Sequence, residues 1–133
     1  MKKLRILVLG NPLIKKDSLA LEIAKEISDK FSEVEFVEFD PIEELETDVP
    51  IFMDVVMGLE KVKLIEGEKF EVDKRFSLHD FGLEHLIELL KKLGRLKKVK
   101  VIGIPPDYPK EKAKKEVESI LKSILSLKNG LHN

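Results

Sequence analysis

The 133-residue sequence contains no cysteine, no tryptophan and a single tyrosine. Without cysteine the chain has no disulfides, no thiolate nucleophile and no cysteine-ligated metal site. Aromatic residues make up only 6% of the chain, which leaves little with which to stack a flavin ring. A metal site in this protein would therefore have to use oxygen and nitrogen donors.

The sequence also lacks an excess of charge of either sign, since it has 24 Lys and Arg residues and 25 Asp and Glu residues. This balance gives no electrostatic footprint for nucleic acid or for a membrane surface. The two N-terminal lysines precede an apolar run too short for a signal peptide, and no run approaches the ~20 residues that span a bilayer. We expect a soluble, cytoplasmic protein and, since no large apolar surface stripe is evident, a monomer.

Short apolar runs alternate with helical patterns along the chain, and a polar–apolar alternation over 61–66 and 69–73 is typical of a hairpin. Strands are predicted over 4–9, 34–39, 51–58 and 99–104, and helices over 18–30, 83–93 and 110–127. The order predicts one domain over residues 1–133 of the α/β class. We expect a three-layer α/β/α sandwich with a mostly parallel central sheet and a hairpin insertion.

Three side chains with metal-binding chemistry interrupt or follow the predicted strands. Asp17 follows the first strand, Asp54 lies inside the run 51–58, and His79 precedes the helix predicted over 83–93. Open α/β sheets place their ligands at the carboxyl ends of strands. Two carboxylates and an imidazole there would suit a divalent ion such as zinc or nickel, with coordination positions left open. Asp54 is the strongest candidate, because a carboxylate inside an apolar run is costly unless it is paired, metal-bound or at a strand end.

Each candidate also has a structural interpretation. Asp17 is equally placed to cap the first helix, and His79 to be an ordinary loop residue. His85 is expected to face solvent, His132 lies in the terminal tail, and 107–109 is expected to form a turn. The sequence has neither the Gly-x-Ser-x-Gly of a serine hydrolase nor the His-Glu-x-x-His of a zinc peptidase.

Four segments carry a resemblance to a known family. They are ILVLGNPLIKKD at 6–17, MDVVMG at 53–58, SLHDFGL at 77–83 and VKVIGIPP at 99–106. In content and in order they resemble the hydrogenase maturation endopeptidases, and together they span most of the chain.

The resemblance implies a three-layer α/β/α fold and a specific activity. The family removes a short C-terminal extension from the large-subunit precursor of nickel-iron hydrogenases after nickel has been inserted. By motif position, the resemblance assigns metal binding and catalysis to Asp17, Asp54 and His79. It also implies that the nickel arrives with the precursor, which is the expected partner, and that zinc or cadmium would replace nickel in vitro.

The first segment departs from the family pattern, in which the first loop carries an acidic pair followed by glycines. Here Lys16 precedes Asp17, and two neighbouring lysines would disfavour a bound cation. A second interpretation is therefore a non-catalytic hydrogenase-binding module, acting as a chaperone or decoy. A third is a flavodoxin-like protein, since the Gly-Asn-Pro loop before a helix faintly resembles an FMN phosphate loop.

Overall fold

The computed structural model describes residues 3–8, 19–38, 50–67, 77–78 and 99–130. Their elements are β1 Leu4–Val8, α1 Leu19–Ile27, a 3₁₀ turn Ser28–Lys30, β2 Val34–Glu38, β3 Ile51–Met57, β4 Lys63–Gly67, β5 Ser77–Leu78, β6 Val99–Ile104 and α2 Lys110–Gly130. The helix predicted over 83–93 and the hairpin strand predicted over 69–73 lie outside the described residues.

The strands form a mostly parallel sheet in the order β2-β1-β3-β6-β4. Strand β1 runs parallel to β2 and to β3, and β3 runs parallel to β6. Two antiparallel pairings complete the described sheet, β4 with β6 and β5 with β3. The α/β class and the mostly parallel sheet predicted from the sequence are confirmed.

Helices α1 and α2 pack against one face of the sheet. Met53 of β3 and Ile102 of β6 lie side by side on this face and are fully buried. The helix residues that enclose them recur every three or four positions, as one face of an amphipathic helix requires. They are Ala20, Ile23, Ala24 and Ile27 of α1, and Ala113, Val117, Leu121 and Ile124 of α2.

The opposite face of the sheet is buried too. Successive side chains of a strand alternate between faces, so Phe52 and Val56 of β3 point away from Met53. Phe52 and Val56 are buried, as is Val101, the β6 neighbour of Phe52. Both faces of the central strands are therefore covered, as a three-layer arrangement demands.

The chain turns sharply after two strands at the carboxyl edge of the sheet. Gly58, directly after β3, has a φ of 94°, and Asp107, three residues after β6, has a φ of 58°. Asp tolerates this left-handed region better than most residues, which agrees with the turn predicted at 107–109. Among the described residues, no helix is long and apolar enough to cross a membrane.

Candidate functional site

Asp54 lies in the middle of β3, the strand at the centre of the sheet. Its side chain is 3% exposed, and in the described part of the chain it is the one charged residue that is fully buried. Its Oδ2 atom is screened from solvent. Burying an ionised carboxylate in this way costs about several kcal/mol unless a partner or a cation compensates for the lost hydration.

The strand register places Asp54 at the carboxyl end of β1. Val8, the last residue of β1, pairs with Met53, so Asp54 lies one residue beyond the end of β1. On its other side Asp54 pairs with Gly103 of β6, one residue before that strand ends. The carboxylate therefore lies at the edge of the sheet where parallel α/β folds bind their ligands.

The short strand β5 comes close to the same point. Leu78 pairs with Val56, two residues after Asp54, and Ser77 pairs with Met57. His79 is the next residue in the sequence after Leu78. Sequence reasoning did not predict β5.

Asp17 and His79 themselves lie outside the described residues, as do His85 and His132. Of the three predicted metal ligands, the structure thus locates Asp54 alone. Within 3–8, 19–38, 50–67, 77–78 and 99–130, no three His, Asp or Glu side chains are grouped closely enough to hold a metal ion. The convergence of Asp17, Asp54 and His79 stays a prediction.

A polar cluster that the sequence did not reveal joins three elements on the helix-covered side of this edge. Glu116 of α2 accepts hydrogen bonds from the backbone N–H of Val62 at 3.1 Å and from the Tyr108 hydroxyl. The hydroxyl lies 2.9 Å from Oε1 and 2.7 Å from Oε2 of Glu116. Burial, and then this hydrogen bond to Glu116, raises the pKa of the Tyr108 phenol. Through these hydrogen bonds Glu116 connects the loop after β3 and the turn after β6 to α2.

A network of ion pairs links α1 to α2 at the protein surface. Lys110 and Lys114 both pair with Glu26, the latter at 3.1 Å, and Lys114 also lies 2.9 Å from Glu111. Hydrogen bonds from Lys110 and Lys114 lower the pKa of the Glu26 carboxyl. This network lies on the helices and has a structural role.

No protein-family model and no curated protein matches the sequence. Among solved structures, the chain is similar to the crystal structure of the hydrogenase 2 maturation peptidase from a Thaumarchaeota archaeon. The TM-score is 0.59 at 22% sequence identity, and the match covers 94% of this chain and 99% of that chain. At this identity the similarity establishes a common fold over nearly the whole chain. The fold that the sequence resemblance implied is confirmed.

Proposed function

We propose that this protein is a hydrogenase maturation peptidase, which removes the C-terminal extension of a nickel-iron hydrogenase large-subunit precursor. One observation carries the proposal: Asp54 buries its carboxylate at the ligand-binding edge of a fold shared with the hydrogenase 2 maturation peptidase. Burying a carboxylate is costly, so a carboxylate at this position calls for a functional reason. A role in binding a cation explains why a carboxylate is present.

The proposed ligands of the precursor's nickel are Asp17, Asp54 and His79. Carboxylate oxygens and an imidazole nitrogen suit a divalent ion of borderline hardness, and three protein ligands leave positions for the substrate. Nickel is part of the substrate in this proposal, and the ion would serve to place the scissile peptide bond against the protein. Asp54 contributes a rigid ligand, since it belongs to the central strand and not to a loop.

Two features of the described residues support bringing the three ligands together. Asp17 follows β1 in the chain, and β1 ends level with Met53, next to Asp54. His79 follows Leu78, whose backbone pairs with Val56 of the same strand. Since consecutive Cα atoms are about 3.8 Å apart, we expect residue 79 to lie near this end of β3.

Dependence on nickel would give the protease a physical means of avoiding premature cleavage. A precursor without its ion would offer the two carboxylates and the imidazole nothing to bind. The metal contacts would then contribute no affinity, and the scissile bond would not be held in place. Cleavage would follow nickel insertion for this reason alone.

The test is the intact mass of the hydrogenase large-subunit precursor from the same organism, incubated with this protein with and without nickel. The comparison uses wild type, Asp54→Asn and, as a matched control, Asp29→Asn at an exposed site. We expect wild type and Asp29→Asn to release a C-terminal peptide only when nickel is present. Asp54→Asn should release none. Release of the C-terminal peptide without nickel, and equally by wild type and Asp54→Asn, would refute the proposal.

The second candidate is a hydrogenase-binding module without protease activity. The observation behind it is the pair Lys15 and Lys16 beside Asp17, where two positive charges oppose a bound cation. The same experiment separates the two functions. A precursor that forms a complex with the protein and keeps its full mass would establish the binding module.

A further inference from the structure

The space beside Asp54 on its β6 side is shaped by Gly103. Side chains at paired positions of neighbouring parallel strands point to the same face, so a side chain at residue 103 would stand next to the Asp54 carboxylate. A Cβ atom built on Gly103 would lie 2.7 Å from Leu59 Cδ1 and 3.0 Å from Val56 Cγ2. Leu59 and Val56 therefore occupy the space that glycine leaves.

Leu59 reaches this place because its loop is fixed at both ends. The loop begins at Gly58, whose φ of 94° turns the chain directly after β3. It ends at Val62, whose N–H donates a hydrogen bond to Glu116 on α2. Val62 is itself buried and belongs to the hydrophobic core that the helices share. A turn, a hydrogen bond and a buried side chain thus hold Leu59 over Gly103.

We infer that Leu59 is a positioning residue for Asp54, an inference that rests on the proposed function because it gives Asp54 the task of a metal ligand. Hydrocarbon on the β6 side of the carboxylate excludes water there and disfavours the rotamers that would turn the side chain toward β6. Asp54 is left to present its oxygens toward the β1 side. Strand β1, which precedes Asp17 in the sequence, ends on that side.

This arrangement accounts for glycine at position 103. Alanine there would place its methyl group within 2.7 Å of Leu59 Cδ1, a separation that real Cβ contacts do not show. Leu59 Cδ1, the end of a flexible side chain, would have to shift, and the side wall beside Asp54 would change its shape. Gly103 and Leu59 therefore act as a pair, and the effect of changing one depends on the other.

The test uses Gly103→Ala, Leu59→Ala and the double variant, with Ile27→Ala as a control in the core at the far end of α1. The readouts are the affinity for Ni²⁺ alone, by calorimetry, and the ¹³Cγ chemical shift of Asp54 at fixed pH. Gly103→Ala should weaken Ni²⁺ binding about tenfold and move the Asp54 signal, since residues that orient a metal ligand contribute about 10- to 100-fold in affinity. The double variant should recover part of both, because the methyl group added at position 103 then stands in the space that Leu59 vacates and supplies hydrocarbon beside Asp54. Ile27→Ala should lose stability and leave both readouts unchanged.

Leu59→Ala and Leu59→Met provide a second test should Gly103→Ala not fold. Leu59→Ala should move the Asp54 signal, and Leu59→Met, with a side chain of similar volume, should restore it. Wild-type Ni²⁺ affinity and an unmoved Asp54 signal in Gly103→Ala or Leu59→Ala would overturn the inference.

The proposed function fails separately, if the wild-type protein neither binds Ni²⁺ nor trims the precursor. In that case the Asp54 signal still decides whether Leu59 positions the carboxylate.

Discussion

Asp54 of β3 and Gly103 of β6 lie side by side, in register, on neighbouring parallel strands. One is a carboxylate that is 3% exposed, and the other has no side chain at all. Because such strands are about 4.8 Å apart, any side chain at 103 would contact the surroundings of the carboxylate. The buried carboxylate therefore lies beside a position where the neighbouring strand has no side chain and where Leu59 and Val56 fill the space, at the edge of the sheet proposed to bind nickel.

Asp54→Asn should weaken Ni²⁺ binding about 100-fold or more and leave the fold intact. Even the loss of a group behind a metal ligand lowers affinity about 10- to 100-fold, so the loss of a ligand charge should lower it about 100-fold or more. The amide keeps the shape and hydrogen-bonding capacity of the side chain, so the free energy of unfolding should change by no more than about 1 kcal/mol. Calorimetry with Ni²⁺ and urea denaturation measure the two quantities. A large loss of stability together with unchanged Ni²⁺ affinity would assign Asp54 a structural role.

Gly58→Ala should destabilise the protein by about 1–2 kcal/mol, because a Cβ is unfavourable at a left-handed residue. Asp107 is the matched control, since it also has a positive φ and does carry a Cβ. Asp107→Gly should not lower stability. Urea denaturation of both variants measures the effect. Equal stability of Gly58→Ala and wild type would show that the loop after β3 has another conformation open to it.

Glu116→Ala should lower the free energy of unfolding by about 1–3 kcal/mol, because the donors of Val62 and Tyr108 both lose their acceptor. Glu116→Gln keeps an acceptor and should recover part of the loss. The Val62 amide should also exchange its hydrogen faster in Glu116→Ala. As a control, Glu118→Ala removes an ion pair with the exposed Lys30 and should cost less than about 1 kcal/mol. Equal effects at 116 and 118 would contradict the role given to Glu116.

Glu26→Gln should reduce stability at neutral pH and have no effect in acid. Lys110 and Lys114 lower the pKa of the Glu26 carboxyl in the folded protein. The folded state therefore binds this proton less tightly than the unfolded state, and the stabilisation is present above the unfolded pKa. It is lost as the pH falls through the lowered folded pKa.

Urea denaturation of wild type and Glu26→Gln, from neutral pH down through the lowered pKa of Glu26, tests the direction of the stability change. Glu33→Gln is the control at an exposed position. Added salt should shrink the difference at neutral pH, since the pairs are at the surface. A difference that grows in acid would contradict the assignment.

Lys16→Glu should strengthen Ni²⁺ binding, because it replaces a positive charge next to Asp17 with the acidic pair of the family pattern. A gain of about fivefold at low ionic strength corresponds to about 1 kcal/mol, the interaction of two charges a few ångströms apart in water. The gain should fall as salt is added. Lys25→Glu, on the exposed face of α1, is the control and should have little effect. Equal gains at both positions would mean that net charge, not proximity to Asp17, governs binding.

The strands could be predicted from the sequence where a few neighbouring residues form a clear pattern. The strand at 99–104 was predicted to the residue, because an apolar run is closed there by two prolines. Asp54 stood out for an equally local reason, as a charge inside an uninterrupted apolar segment. The helix at the end of the chain was also predicted, although α2 continues to Gly130 and the prediction ended at 127.

What the sequence could not reveal depends on contacts between distant residues. Glu116 meets Val62 across 54 positions, and the alternation over 61–66 that includes Val62 does not indicate this partner. Leu59 follows a glycine at a strand end and has the pattern of an ordinary loop residue. The pairing of β4 with β6 likewise depends on how the whole sheet assembles.

The most direct test of the account is a crystal structure of the protein soaked with Cd²⁺, read from the anomalous difference map. We expect one strong peak bonded to a carboxylate oxygen of Asp54, with Asp17 and His79 as the other protein ligands. A peak elsewhere, or a map without density at Asp54, would contradict the claim that these three residues form a single metal-binding site.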